Sequence, residues 1–213
     1  VIEDSAQGLF SKYKGTFMGT ESDAGCFSFS VAKLIPTGQG GFVATKQKSI
    51  YEKLKLMRTH GVDNVNDGSP FLRMGFNFRY TDLQASIGLI QLKKVKERIN
   101  NLIQIHKVYK EGLSDIDYIN FMHVDIENGE IPLYSEILVK NRENLVKYLA
   151  SNNIETRPFY PDLDTAKHLH SHNNFPNAHI FGEQGLVLPS GPAQNIENIE
   201  RVITALKEYQ MHM

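Results

Sequence analysis

In the stretch CFSFSVAKLIPTGQGG, Cys26 to Gly41, apolar and polar residues alternate over the first five positions, the period of a strand. The run leads into one lysine, Lys33, and then into a turn with three glycines, Gly38, Gly40 and Gly41. An ammonium is strongly hydrated and costly to bury alone. Near apolar strands its pKa tends to fall, which makes it a usable nucleophile toward carbonyls. Taken singly, Lys33 reads as a solvated lysine at a loop start.

Its companions change that weighting. Val1 to Glu3 reads as the end of a buried strand with Asp4 at its carboxyl tip, where ligands sit in open α/β sheets. A carboxylate there can pair with a protonated pyridine nitrogen and strengthen a cofactor's electron sink. Gln7 can donate to a phenolate oxygen, and Ser28 offers a hydroxyl to a phosphate. Each has a plainer reading, Asp4 as a helix cap or turn residue and the other two as exposed positions.

Outward from this stretch, KYKGTFMGT (12–20) has the glycines of a hairpin turn, and Gly41 to Thr45 reads as the next strand. Ser49 to Arg58 has helical spacing at Ile50, Leu54 and Met57. Residues 61–72 are loop-like. One long helix is expected from a Thr81 cap to about Gly112, on a stripe through Leu83, Ile87, Ile90, Val95, Ile99, Leu102 and Ile103. Beyond it we expect strands at Ile131–Val139, Ile154–Tyr160 and Leu186–Leu188. Helices are expected at Arg142–Asn152, Ala178–Gln184 and Asn195–Tyr209. The expected organisation is an α/β part over 1–112 and a smaller α+β part over 113–213.

The 213 residues, 41% hydrophobic, are enough for one large domain or two small ones. A net charge of −1 lacks the basic excess of nucleic-acid or membrane-surface proteins. No apolar run is long enough for a transmembrane helix, and one cysteine makes no internal disulfide, so the cytoplasm is the expected location. The opening VIEDSAQ has no basic n-region of a signal peptide, and it suggests the later part of a longer protein.

VIEDSAQ, DAGCFSFSVAK, TGQGGFVAT, RTHG, MGFNFRYTDLQASIGLIQLKKV, NNIETRPFYP and LVLPSGP, in this order, resemble the DegT family of sugar-nucleotide aminotransferases along essentially the whole chain. The resemblance implies the α/β fold-type-I aminotransferase architecture. The chain would be the C-terminal part of the large domain plus the small α+β domain, with the N-terminal part absent. It implies pyridoxal 5'-phosphate as cofactor. Lys33 matches the lysine that binds the cofactor covalently, Asp4 the partner of its pyridine nitrogen, Gln7 the contact to its ring oxygen and Ser28 a phosphate ligand. Asn77 matches the asparagine that reaches the phosphate from the neighbouring subunit, which implies a homodimer with shared active sites. The implied reaction moves an amino group, usually from glutamate, to a 3- or 4-keto-deoxy sugar on a nucleoside diphosphate, as in amino-sugar and polysaccharide biosynthesis. RPFYP and LVLPSGP look closest to enzymes that aminate C4, such as perosamine synthases. Gln39 departs from the family's usual glutamate.

Two alternatives stand beside this. Some family members are sugar dehydratases with histidine at the lysine position, and Lys33 argues for transamination. A chain without the N-terminal half can also be a catalytically inert fragment or binding chain.

Arg157 suits a donor carboxylate or sugar diphosphate, with a surface ion pair as the plainer reading. His60 is a candidate for the sugar pocket or a structural histidine, and Tyr160 a sugar contact or a core residue. HLHSH (168–172) has metal-like spacing without supporting ligands, so solvated histidines and no metal are expected. The basic run Lys93, Lys94, Lys96 and Arg98 reads as a solvated helix face. Cys26 is expected to be buried and inert.

Overall fold

The computed structural model describes residues 1–169 and 174–211. They form two compact units, one of residues 1–97 and 127–131, the other of residues 98–126 and 132–213.

In the first unit, β1 (Ile2–Asp4) pairs in parallel with β4 (Ala24–Ser28), which pairs antiparallel with β5 (Gly41–Ala44). Between β1 and β4 lies the expected hairpin, β2 (Lys12–Tyr13) and β3 (Thr16–Phe17), joined through Lys14 and Gly15. The Glu3 carboxylate gathers the chain before β4 by accepting from the backbone N–H groups of Gly19 (2.6 Å), Ser22 (2.8 Å) and Glu21 (3.1 Å). These bonds, Gly19's foremost, hold its pKa below the ordinary carboxylate value. Within this chain β1 lies at the edge of its sheet and Ile2 is exposed.

Two helices follow, α1 (Lys48–Arg58) and α2 (Asp82–Lys93), and neither buries a residue within the unit. α2 starts in a capping box. Thr81 Oγ1 accepts from the Gln84 N–H while Gln84 Oε1 accepts from the Thr81 N–H. The expected single long helix is two. α2 stops at Lys94, whose N–H turns back to the carbonyls of Gln91 and Leu92, and α3 runs from Val95 to Gly112. No Gly or Pro marks the break, so nothing local announces it.

The second unit has an antiparallel sheet ordered β6-β7-β9-β8, with β6 (Ile119–Phe121), β7 (Ser135–Val139), β8 (Arg157–Pro158) and β9 (Gly185–Leu188). Its core joins Ile105 and Tyr109 of α3, Leu145 and Leu149 of α4 (Arg142–Ser151), and Ile199, Val202 and Leu206 of α6 (Ile196–Gln210). They meet Ile137, Leu186 and Leu188 of the sheet. Tyr109 donates its hydroxyl to the Pro189 carbonyl at 2.8 Å, and burial pushes its pKa up. α5 (Pro176–Gln184) begins two residues before its expected start, with proline at the helix entry.

Two expected strands shorten for identifiable reasons. Residues 127–131 belong to the first unit. There the Lys12 N–H donates to the Gly129 carbonyl, and the Ile131 N–H donates to Ser11 Oγ, so β7 starts only at Ser135. The strand expected over Ile154–Tyr160 contracts to β8, an edge strand carrying a proline without a ladder N–H. β6, three residues long, was not expected from the pattern.

Candidate active site

Asp4 closes β1 opposite Cys26, and Ser28 closes β4 two residues further on. Register places Asp4, Cys26 and Ser28 on one face at the carboxyl ends of the parallel pair. Cys26 is only half-buried, because it lies on this face rather than on the opposite one, where Phe27 stacks on Phe42. Asp4 is exposed and accepts from the Ala6 N–H at 3.1 Å. Ser28 Oγ accepts from the Ser30 N–H at 3.2 Å. Gln7 is exposed in the turn after β1, where the Gly8 N–H donates to the Ser5 carbonyl.

Lys33 sits half-buried in the turn leaving β4, its N–H donating to the Ser30 carbonyl at 3.0 Å. Leu34 and Ile35, next to it, are buried. The turn returns to the sheet through two bonds at 2.9 Å, Thr37 N–H to the Phe29 carbonyl and Phe29 N–H to the Gly40 carbonyl. The glycines permit close approach. A Cβ on Gly41 would lie 2.2 Å from the Phe27 carbonyl oxygen, and one on Gly40 2.6 Å from the Tyr80 ring. The carbonyl of Gln39 accepts from Thr37 Oγ1 and from Gln84 Nε2, both at 2.9 Å. It is the main chain at position 39 that is tied down, and these bonds do not depend on the side chain being glutamine or glutamate.

Asn77 forms an isolated antiparallel bridge with Thr59, flanked by His60 N–H to Phe76 O and Phe78 N–H to Arg58 O. His60 and Asn77 therefore sit beside each other, both exposed, with His60 in the left-handed region at φ 54°. The Asn77 Oδ1 accepts from Arg79 Nε at 3.0 Å. Tyr80, three residues on, reaches the Lys33 turn, its ring centroid 6.0 Å from that of Phe29. Tyr80, Thr37 and Gln84 were not singled out from sequence. Only the capping-box pattern at Thr81 and Gln84 hints at one of them.

Arg157 and Tyr160 belong to the second unit. Arg157 is exposed, with its guanidinium over the Tyr134 ring, 5.0 Å from the centroid. Glu136 lies on the same sheet face across Val187. Burial raises its pKa, and the Arg157 charge opposes that rise. Tyr160 is 83% exposed, which excludes the core-packing reading within this unit. His168 is exposed, and His170 and His172 lie outside the described residues. Among the described residues no helix is long and apolar enough to cross a membrane.

A carboxylate and a hydroxyl on one face at the carboxyl ends of a parallel strand pair, with a lysine in the turn that follows, are residue types suited to a heteroaromatic nitrogen, a phosphate and a carbonyl carbon. Residues 1–207 match the model of the DegT/DnrJ/EryC1/StrS aminotransferase family. The chain belongs to this family. It is 32% identical to GDP-perosamine synthase of Escherichia coli O157:H7 over 98% of the chain and 58% of that protein. Helicobacter pylori PseC, an aminotransferase involved in the biosynthesis of pseudoaminic acid, superposes with a TM-score of 0.92 at 23% identity, covering 100% of this chain and 60% of that one. DesV of S. venezuelae gives 0.90 at 25% identity, over 98% and 57%. The chain thus spans about three fifths of the length of the relatives it matches. Its fold is the corresponding part of the sugar-aminotransferase fold.

Proposed function

We propose that the protein is a pyridoxal-phosphate-dependent aminotransferase of the cytoplasm. It moves an amino group from glutamate to a nucleotide-linked 3- or 4-keto-deoxy sugar, with C4 of a 4-keto-6-deoxy sugar the position the perosamine-synthase relatives support. The observation that carries this reading is Lys33 in the turn that leaves β4, directly beyond a strand pair whose carboxyl ends bear Asp4 and Ser28 on one face.

The residues divide the work by their chemistry. Asp4 keeps a pyridine nitrogen protonated, Gln7 donates to the ring oxygen, and Ser28 and Asn77 hold the phosphate. Bound there, pyridoxal phosphate supplies the electron sink for the charge that develops at the donor's alpha carbon. Lys33 Nζ takes the donor's alpha proton as general base and gives a proton to the sugar carbon as general acid. Arg157 pairs with a carboxylate or diphosphate, and His60 and Tyr160 line the sugar site. The protein acts as a homodimer, with Asn77 serving the partner subunit's phosphate site. That role agrees with its exposure and with the exposed Leu83, Leu89 and Ile90 of α2. The large, cofactor-binding domain continues through residue 112, and the small domain follows.

The test is to add pyridoxal phosphate to the whole protein, reduce with borohydride and map the modified peptide. An adduct on Lys33, absent in Lys33→Ala together with all transamination of a 4-keto sugar nucleotide, is the expected result. Retained turnover in Lys33→Ala overturns the assignment. Repeating the labelling on the 213-residue chain shows whether these residues alone hold the cofactor.

A further inference from the structure

Gln84 has two partners that share no sequence neighbourhood. Its Oε1 accepts from the Thr81 N–H at 3.2 Å and from Thr81 Oγ1 at 3.0 Å, completing the cap of α2. Its Nε2 donates to the Gln39 carbonyl, 45 residues away, at 2.9 Å. The two ends fix the orientation of the amide. The oxygen faces the Thr81 N–H and the nitrogen faces a carbonyl, so a flipped amide would lose the backbone bond on one side and set oxygen against oxygen on the other.

The Gln39 carbonyl is the far anchor of the turn that begins at Lys33. It also accepts from Thr37 Oγ1, and Thr37 is 4% exposed. Thr37 in turn ties back to Phe29, next to Ser28. The same patch closes sterically: a Cβ on Gly40 would lie 2.6 Å from the Tyr80 ring, and one on Gly88 of α2 would lie 3.3 Å from the Thr37 methyl group. The helix start and the lysine turn are thereby joined through the Gln84 side chain.

We infer that Gln84 is a positioning residue for Lys33: it holds the Gln39 carbonyl and so sets the path of the turn that aims the lysine. This rests on the reading of Lys33 as the reacting amine. Gln84 itself touches neither cofactor nor substrate in this assignment. Misplacing a reacting group by about an ångström costs on the order of 100-fold in rate, so the bridge acts on kcat and leaves substrate binding alone.

Gln84→Glu separates the two roles. A carboxylate keeps the acceptor that caps Thr81, glutamate being as good as glutamine in a capping box. It replaces the donor toward Gln39 by an oxygen that repels the carbonyl. In the whole protein we expect an unchanged thermal midpoint and about 10-fold less hydrogen-exchange protection at the Phe29, Lys33 and Thr37 amides. We also expect a 10- to 100-fold lower kcat with KM within two-fold. Thr37→Val, which removes the other donor to the same carbonyl, should shift exchange and kcat in the same direction. Wild-type exchange protection and kcat in Gln84→Glu would overturn the bridge. Exchange is read without cofactor, so a wild-type protein that forms no adduct at Lys33 sinks the functional reading and leaves the exchange result to decide the tether.

Discussion

The two units use their apolar side chains in opposite ways. In the second, α3, α4 and α6 close over one sheet face, and Leu145, Leu149, Leu186, Ile199 and Leu206 lose all contact with solvent. In the first, α1 and α2 bury nothing within the unit, and Phe71, Met74, Leu83 and Leu89 stand exposed. What the first unit does bury lies mostly along the path to the lysine turn: Ala24, Phe27, Leu34, Ile35 and Thr37. One unit is held by a shared core. The other concentrates its order at the carboxyl end of β4, through paired turns, glycine contacts and stacked rings. Chemistry that needs a fixed amine is best served by that second kind of order, because hydrogen bonds set direction and apolar burial does not.

The comparison breaks first at leucine. Leu145→Ala should cost about 2–5 kcal/mol, since it opens a cavity in a closed core. Leu89→Ala, at a site 63% exposed within one chain, should stay within about 0.5 kcal/mol at concentrations where the chain is monomeric, a larger loss that appears only at higher concentration being the dimer's. Urea unfolding of the 213-residue chain measures both. A loss at Leu89 equal to that at Leu145 would mean that α2 is held by packing after all.

Acid tests the second unit again. His106 is buried on α3, 5.0 Å from the Phe121 ring centroid, and its Nδ1 has no hydrogen-bond partner among the described residues. Burial first, then the charges of Lys110 and His123, push its pKa down from 6.5 to about 4. The unfolded chain therefore takes up this proton before the folded one does. Stability on this account is full above pH 6.5 and falls as pH drops toward 4, by up to about 3 kcal/mol. His106→Met should flatten unfolding free energy over that window. An unchanged slope in the variant would assign the acid sensitivity to other groups.

Most of the fold was legible because its signals are local. Alternation marked β4, the glycines marked the turns, and 3.6-residue spacing marked α1, α4 and α6. The failures share a cause, a partner far away in sequence. Ile131 bonds to Ser11 rather than extending β7, and β6 exists only because β7 offers it an edge. At the site, the residue types of Asp4, Ser28 and Lys33 were readable, and register then put Asp4 and Ser28 on one face. The Gln84 bridge was invisible, since a glutamine inside a helix start carries no trace of a carbonyl 45 residues earlier.

The smallest expected effect separates the units most sharply. Asn195 caps α6, its side chain accepting from the Asn198 N–H at 2.9 Å, and α6 buries Ile199, Val202, Ala205 and Leu206. Losing that acceptor in Asn195→Ala should lower the global unfolding free energy by about 1 kcal/mol, because fraying of α6 uncovers core. Thr81 caps α2 by the same chemistry, and α2 has no buried side chain of its own to uncover when its first turn frays. Thr81→Ala also keeps the bond from its own N–H to Gln84 Oε1. Its effect should therefore appear as faster amide exchange in the first turn of α2, with the global midpoint unmoved. Equal global shifts from the two cap deletions would show that α2 unfolds together with the rest of its unit. The Lys33 turn would then owe its order to cooperative folding of the unit, and the bridge from Gln84 would be one strand of that order rather than its source.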